Sequence, residues 1–372
     1  MIVNKTKWVR LGDYIEEYNQ LNLDNTIKVV KSVSVTKEFK DTGAKVNKSQ
    51  LLGYKIVPPM FIAYVQTTSN EKCFACALNR LGKSIVVTSV NKVLGIKDGS
   101  KLSIEYLYLF LTKPEFDRYA RFHSWGSARE TFSWEELCRV RIPLPSMEVQ
   151  RELVATYEGL KRLAEDNEAL IAPLTEACQA FIVDCKRQYP SVPLGDYIEE
   201  VDERNTEGKY SVEDVMGISI DKMFIDTKAN MEGVALTPYK LVKPSEFCYV
   251  SVTSRNGGKI SLAINSSEQT YIVSSSYEVF KCIGELLPEY LYILLSRGDF
   301  DRYARFNSWG SARETFSWEE LCRVEIPLPP PEVQQSIVNL YHCIEEAKSI
   351  ARDARERLTT LCPALVQYAI NA

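Results

Sequence analysis

The sequence predicts an α+β protein in which two duplicated mixed α/β domains are joined by two long helices that form an antiparallel coiled coil. Three observations predict this fold class: a long internal repeat, β-rich runs within each copy, and a heptad pattern at the end of each copy. The chain has 372 residues, of which 45% are hydrophobic and 25% charged, so it is long and apolar enough to bury more than one core.

The internal repeat is the strongest of these signals. Residues 116–140 read FDRYARFHSWGSARETFSWEELCRV, and residues 300–324 repeat them with a single change, His123 to Asn307. Both blocks continue into IPLP and then EVQ. Each copy therefore has about 184 residues, the distance from residue 116 to residue 300.

The two copies also share a start and differ in their interiors. LGDYIEE occurs at 11–17 and again at 194–200, and the stretches that follow, 18–115 and 201–299, diverge. Inside them, β-rich runs such as SIVVTS and FCYVSVT are separated by Gly, Asn and Lys clusters, which predicts short strands and turns. Residues 102–110 and 289–295 predict helices. Each divergent stretch is therefore expected to be a compact mixed domain.

A helical pattern with a period of about 3.5 follows each PLP sequence. In the second copy the apolar positions are Val333, Ile337, Leu340, Ile344, Ala347, Ala351, Ala354, Leu358, Leu361, Leu365 and Tyr368. In the first copy they are Val149, Leu153, Tyr157, Leu160, Leu163, Ile171, Leu174, Cys178, Phe181 and Cys185, with Asn167 expected to be a buried polar register marker. The two apolar stripes are expected to pack on each other; the alternative is that each helix binds a different partner helix.

Four segments follow from this pattern: a domain at 1–145, a helix at 146–188, a second domain at 189–329 and a C-terminal helix at 330–372. Pro173 and Pro363 are expected to kink the later part of each helix, since proline removes one backbone hydrogen bond.

Composition excludes several classes of protein. No apolar run approaches the roughly 20 residues that span a bilayer, and the start lacks the apolar core of a signal peptide, so a cytoplasmic protein without membrane contact is expected. The ten cysteines are scattered through a long chain and are expected to be reduced. Cys73 and Cys76 form one CxxC pair, but a structural zinc site needs four ligands and no second pair stands near it.

Catalytic signatures are equally sparse. The chain has two histidines, far apart in sequence, and no HExxH motif. Residues 77–84 end like a phosphate-binding loop, but Ala77 stands where the first glycine is needed. No amino-methyltransferase motif is present. We therefore expect a non-catalytic protein with no metal and no cofactor.

The net charge of −4 is distributed unevenly. Residues 1–145 hold 22 Lys and Arg against 14 Asp and Glu, a balance of +8, whereas residues 190–329 hold 14 against 22, a balance of −8. If the protein binds DNA, the first half could attract the phosphate backbone by itself, and the second must rely on a few placed cations or on a basic partner.

The duplicated order of these motifs resembles the specificity subunits of type I restriction-modification systems. Those subunits have two target-recognition domains separated by long helices, and each domain closes with a segment like GSARETFSWEELxxxxIPLPxxEVQ here. The second divergent stretch is also similar to the family, with FCYVSVTSRNGGKISLAI, YIVSSSYEVF and PEYLYILL in order. The first, MFIAYVQTTSNEKCFACALN and IVVTSVNKVLGI, matches less well and lacks an equivalent of Arg255.

The resemblance implies a non-catalytic reader of double-stranded DNA. Its implied partners are two methyltransferase (modification) subunits and, in the restricting complex, motor-nuclease (restriction) subunits. If the helices pair antiparallel, the two copies are related by an approximate two-fold axis and read two separated half-sites. A helix of about 36 residues is on the order of 54 Å long, or about 16 base pairs, and would act as a ruler for the unread spacer.

Comparison of the two copies sorts the candidate DNA-binding residues. Specificity is expected where the copies diverge, and the candidates there are Thr67, Thr68, Asn70, Lys72 and Arg80 in the first domain and Ser254, Arg255, Asn256 and Lys259 in the second. Arginine to guanine and asparagine to adenine are the natural base-edge contacts. The alternative is that these residues are merely polar hairpin tips.

Residues that are identical in both copies cannot distinguish two different half-sites. Arg129 and Arg313 are therefore expected to serve the fold, a phosphate contact or partner docking. The tryptophans at 125, 134, 309 and 318 could stack on bases, but their duplication favours the core. A different class of function also remains open: a protein scaffold with the coiled coil as spacer and no DNA contact, which the acidic second domain favours.

Overall fold

The structure is a computed structural model that describes residues 7–42, 47, 50–67, 73–126, 129–252, 258–310 and 314–371, with the side chains of 361–371 left undescribed. The chain divides into two compact units, Asn167–Ser349 on the one hand and Met1–Asp166 with Ile350–Ala372 on the other. Each unit thus takes in one repeat domain and a part of both long helices. The four predicted domain boundaries stay a prediction.

Strands and helices follow the same order in both copies. The first copy contains β1 Lys7–Arg10, β2 Ile15–Glu17, β3 Lys31–Val33, β4 Phe39–Asp41, β5 Lys55–Val57, β6 Ile62–Val65, β7 Cys76–Leu78, β8 Ile85–Val87, β9 Asn91–Ile96, α1 Ile104–Leu111, α2 Pro114–Phe122, α3 Trp134–Arg139, β10 Arg141–Leu144 and α4 Met147–Gln188. The second contains β11 Ser191–Pro193, β12 Ile198–Glu200, β13 Met216–Ile218, β14 Phe224–Asp226, β15 Lys240–Val242, β16 Phe247–Val250, β17 Leu262–Ile264, β18 Tyr271–Val273, β19 Tyr277–Cys282, α5 Pro288–Leu295, α6 Gly298–Phe306, α7 Trp318–Cys322, β20 Glu325–Pro327 and α8 Pro331–Asn371.

The central sheet of each domain has four antiparallel strands. Its order is β2-β9-β6-β7 in the first copy and β12-β19-β16-β17 in the second, and three two-stranded ladders with matching partners surround each sheet. β6 and β16 are buried along most of their length and lie between two partners, which suits their apolar sequences. The predicted mixed α/β domains and their duplication are therefore confirmed.

The main core of each domain lies between the central sheet and the three short helices. Phe132 in the first copy and Phe316 in the second are fully buried there, and both belong to the repeated block. Their rings pack edge-to-face against Phe116 and Phe300 of the same block. The repeated residues thus form the same part of the core in both domains, and the divergent strands pack against them.

Close backbone contact explains why LGD recurs in both copies. A short 3-10 helix, Leu11–Asp13, lies against α3, and a Cβ on Gly12 would stand 2.8 Å from the Cβ of Cys138. The second copy repeats this, with Gly195 placed 2.8 Å from Cys322 on the same measure. Only glycine fits so close an approach.

The glutamine of each EVQ motif is a buried clamp. Gln334 accepts a hydrogen bond from the N–H of Leu287 at 2.9 Å and donates to the carbonyls of Glu285 and Pro329 at 3.1 and 2.8 Å. Gln150 makes the equivalent three bonds in the first copy. Each clamp fixes the start of a long helix to the loop before α1 or α5, because a buried amide must find partners for its polar atoms.

The apolar stripe of α8 is confirmed where its side chains are described. Ile337, Ile344, Ala347, Ala351 and Ala354 are buried, whereas Leu361, Leu365 and Tyr368 lie outside the described side chains. The unit Asn167–Ser349 contains the end of α4 and the start of α8, and the other unit contains the start of α4 and the end of α8. This is the pairing that antiparallel helices give.

Two positions of the α4 stripe were predicted wrongly. Leu163 and Phe181 are exposed, and the neighbouring residues Ala164 and Ile182 are buried in their place. At both places the buried residue stands one position later than the strict heptad predicts, whereas Cys178 and Cys185 are buried where it predicts them. Asn167 is half-buried rather than buried. α4 continues through Pro173 as one helix, and the kink there stays a prediction.

Candidate nucleic-acid interface

Each central sheet carries one hairpin whose loop lies in the stretch where the two copies diverge. We call these the tip loops, residues 66–75 between β6 and β7 and residues 251–261 between β16 and β17. The hairpins are anchored at the base of the loops by Val65 N–H to Ala75 carbonyl and Val250 N–H to Ser261 carbonyl bonds, each 2.9 Å long. The sequence between the two bonded residues of each hairpin can therefore change without altering the paired strands.

A segment of the repeated block runs beside each tip loop. We call these the repeat loops, residues 123–133 and 307–317. In the first copy, the N–H of Phe132 donates to the Gln66 carbonyl at 2.8 Å, and Thr131 pairs with both Thr67 and Trp125.

In the second copy, the N–H of Phe316 donates to the Ser251 carbonyl at 2.8 Å, and Thr315 pairs with both Val252 and Trp309. The fold therefore joins one divergent and one repeated loop twice, in the same way.

The structure brings some of the predicted residues to these loops. Thr67 and Arg129 lie at the junction of the first tip and repeat loops, where Arg129 is exposed and its carbonyl accepts a hydrogen bond from the Thr131 hydroxyl at 3.2 Å. Lys259 lies in the second tip loop, exposed, with Asp221 at 3.5 Å. The remaining candidates fall outside the described residues: Thr68, Asn70, Lys72, Ser254, Arg255, Asn256 and Arg313.

Arg80 lies at the opposite end of its hairpin from the tip loop. It follows β7 and forms an ion pair with Glu158 of α4 at 2.7 Å, with its guanidinium 5.8 Å from the centre of the Tyr108 ring. The structure therefore does not bring Arg80 together with Thr67, and its role as a DNA contact stays an untested prediction.

A buried ion pair holds the return arm of the second tip loop. Lys222, in the turn between β13 and β14, places its Nζ 2.7 Å from Oδ1 of Asp301 and donates to the Leu295 carbonyl at 3.0 Å. The same carboxylate oxygen accepts a hydrogen bond from the N–H of Ile260 at 3.2 Å. Burial lowers the pKa of Lys222, while Asp301 favours its charged form. The pair therefore ties the tip loop to α5 and α6.

The first copy contains the same arrangement. Lys37 lies 2.7 Å from Asp117, donates to the Leu111 carbonyl at 3.1 Å, and Asp117 accepts a hydrogen bond from Phe74 N–H at 2.8 Å. Sequence analysis missed both pairs because each lysine stands in a divergent stretch. The available signal was the aspartate of the repeated FDRYARF, together with a Lys-x-Phe sequence in each copy, ending at Phe39 and Phe224.

The four repeated tryptophans separate into two classes. Trp134 and Trp318 are half-buried and pack against the cores, as predicted. Trp125 and Trp309 are exposed, so the core prediction was wrong for them. The backbone of Trp125 is hydrogen-bonded to Thr131, and that of Trp309 to Thr315. These bonds keep the two residues away from the core that the preceding helix covers.

Neither a metal cluster nor a membrane-spanning helix is found in the part of the chain that the structure describes. Cys76 of the CxxC pair lies in the core, where burial raises the pKa of its thiol to about 12. Such a thiol is protonated at neutral pH.

Comparison with known proteins gives matches among solved structures alone. No family model and no curated protein matches the sequence. The S subunit of the type I restriction-modification system from M. genitalium is similar over 99% of this chain and 97% of its own, with 13% identity and a TM-score of 0.58. The HsdS subunit from Thermoanaerobacter tengcongensis aligns over 100% and 97%, with 15% identity and a looser TM-score of 0.45. The first comparison shows that this chain has the fold of a type I S subunit.

Proposed function

We propose that this chain is the DNA sequence-specificity subunit of a type I restriction-modification complex. The proposal rests on one observation: the chain has the fold of an S subunit along 99% of its length, with a divergent tip loop bonded to a repeat loop that differs between the copies only at His123 and Asn307. A reader of one bipartite target needs two different reading surfaces on one shared frame. The domains at 1–145 and 189–329 would supply them.

Base reading is assigned to the tip loops. Thr67, Thr68, Asn70 and Lys72 would read the first half-site, and Ser254, Arg255, Asn256 and Lys259 the second. Arg129 and Arg313, which are identical in the two copies, suit phosphate contacts, because a phosphate looks the same at both half-sites. Arg80, at the far end of its hairpin, would contact DNA only outside the bases that the tip loop reads.

The partners of the proposed subunit are double-stranded DNA, two modification subunits and the restriction subunits. In this proposal the chain itself is not an enzyme, uses no cofactor and acts in the cytoplasm beside its partners. The negative charge balance of residues 190–329 implies that the second half-site is held with help from a basic partner.

A mobility-shift experiment tests the proposal. The full chain is mixed with random duplexes, with and without a methyltransferase subunit encoded beside it, and bound sequences are selected at several salt concentrations. We expect two short conserved blocks separated by a fixed gap, and binding that weakens as salt rises. Mapping of methylated adenines in the host genome should return the same two blocks.

The rival function is a scaffold that binds proteins and no DNA, which the acidic second domain favours. Complex formation with the methyltransferase but no selected DNA sequence, in either arm of the experiment, would establish the scaffold and refute the reader. Selection of one continuous block instead of two would refute the bipartite target.

A further inference from the structure

In each copy, two large aromatic side chains are exposed: the last residue of α2 or α6, and a tryptophan of the repeat loop that follows. Phe122 is 76% exposed and Trp125 68%, and in the second copy Phe306 is 78% exposed and Trp309 64%. Among the described residues, Phe306 and Phe122 are the most exposed large hydrophobic side chains. Single exposed apolar residues are common on proteins, but the same aromatic pair exposed twice indicates a binding surface.

In each pair, hydrogen bonds fix the main chain of the tryptophan. The N–H of Trp125 donates to the Thr131 carbonyl at 3.2 Å, and the N–H of Thr131 returns a bond of 3.0 Å. Trp309 and Thr315 exchange the equivalent bonds at 3.1 and 3.0 Å. The main chain at each tryptophan is therefore held at a fixed place, which lowers the entropy lost when a partner binds.

Other side chains of the same helices already fill the core beside each aromatic pair. Phe116 and Ala120 are the buried residues of α2, and Phe300 and Ala304 take the same places in α6. The exposed pair is therefore not needed to complete the core. It keeps its exposure in both copies although His123 in one is Asn307 in the other.

Arginines of the repeated block flank each pair in the sequence. Residues 118–130 contain three arginines and one glutamate, and residues 302–314 contain the same charged residues. Arg118 pairs with Glu115, which lies just before the first of these ranges. Arg121 pairs with Glu130 and Arg305 with Glu314, while Arg129, in the same repeat loop as Trp125, is exposed. Exposed aromatic rings flanked by arginines are typical of surfaces that stack on nucleic-acid bases.

Resting on the proposed function, we propose that Phe122 with Trp125, and Phe306 with Trp309, contact the DNA duplex in a sequence-independent way at the two half-sites. The tip loops read bases, and the aromatic pair, whose tryptophan lies in the repeat loop bonded to each tip loop, inserts at an opened base step and stacks on the unpaired face. Because every base has an aromatic face, one pair of residues suits two different half-sites. A methyltransferase must take its target base out of the stack, so one opened base step is needed at each half-site.

The test compares Phe122→Ala/Trp125→Ala and Phe306→Ala/Trp309→Ala with the full wild-type chain. Val90→Ala and Val212→Ala are controls, since they shorten exposed apolar side chains elsewhere in each copy. The probe is a duplex selected by the wild-type chain, with 2-aminopurine placed at successive positions. We expect each double variant to fold normally and to lose about 5- to 150-fold in affinity.

Three further readouts separate stacking from other roles. The selected bases and the salt dependence should stay unchanged, since no base-reading group and no charge has been removed. The fluorescence rise at the opened step should disappear at one half-site only. Trp125→Phe and Trp309→Phe, which keep a ring, should retain most of the affinity.

Unchanged affinity with a full fluorescence rise in both double variants would overturn the inference and leave the proposed function standing. Weaker capture of the methyltransferase subunit with unchanged DNA affinity would assign the surface to protein docking and overturn it as well. Failure of the wild-type chain to select any DNA, alone or with its partner, would refute the proposed function, and the inference with it.

Discussion

Replacement of Lys222 by methionine removes the cation from the most buried ion pair that the described residues contain. The side chains of Lys222 and Asp301 are 6% and 10% exposed. Methionine keeps the length of the lysine stem, but Asp301 is left as a buried charge and the Leu295 carbonyl loses a donor. Removal of one partner of a buried pair costs about 3 to 5 kcal/mol.

The matched control is Lys243→Met in the same unit. Lys243 pairs with Glu203 at 2.6 Å, but the two side chains are 44% and 52% exposed. An exposed pair of this kind contributes about 0.2 to 1 kcal/mol. The two variants remove the same charge, so they should differ in stability by at least about 2 kcal/mol.

The assay is thermal unfolding followed by circular dichroism. For a unit of this size, a loss of 3 to 5 kcal/mol lowers the Tm by about 6 to 20 °C. Addition of Asp301→Asn to Lys222→Met should recover part of the loss, because no lone buried charge remains and the asparagine oxygen can still accept from Ile260.

Two results would refute this reasoning. One is a Tm for Lys222→Met no lower than that for Lys243→Met. The other is a double variant no more stable than Lys222→Met alone, which would mean that the uncompensated carboxylate is not the source of the loss.

Four other outcomes are expected. Gln334→Ala leaves three backbone groups without their partner, of which the Pro329 carbonyl is buried, and should cost about 1 to 3 kcal/mol for each group that water does not reach. Gln335→Ala, at an exposed neighbour, should stay near wild type in urea denaturation, and equal midpoints for the two variants would contradict the role of Gln334. Cys343 is exposed and should react with a thiol reagent in the native chain. Cys248 is buried, which raises the pKa of its thiol, and should react only on unfolding; equal labelling rates for the two cysteines would contradict this expectation. Arg255→Ala should cost about 1 to 3 kcal/mol and relax one position of the second half-site if the residue reads a guanine; binding selection checks this, and a uniform loss would indicate a phosphate contact instead. One heptad inserted after Ala351 should change the preferred half-site spacing without changing the selected bases; altered bases at constant spacing would contradict the ruler.

The sequence alone determined the duplication, the mixed α/β class and most of the α8 stripe. These features are local or periodic: a repeated block is visible as letters, and Ile337 through Ala354 follow a spacing that only a buried helix face requires. Two strands and two helices of the divergent stretches followed from the same patterns, the strands in SIVVTS and FCYVSVT and the helices at 102–110 and 289–295, because apolar runs bounded by turn residues specify such elements locally.

The tertiary structure alone decided which side chains meet. Lys222 and Asp301 are 79 residues apart and pair because the β13–β14 turn is brought against the start of α6. Trp125 is exposed and Trp134 half-buried although both belong to one repeated block, because Thr131 holds the first away from the core. Residue type and spacing tell which groups can be buried, whereas burial itself depends on the atoms that distant segments place beside them.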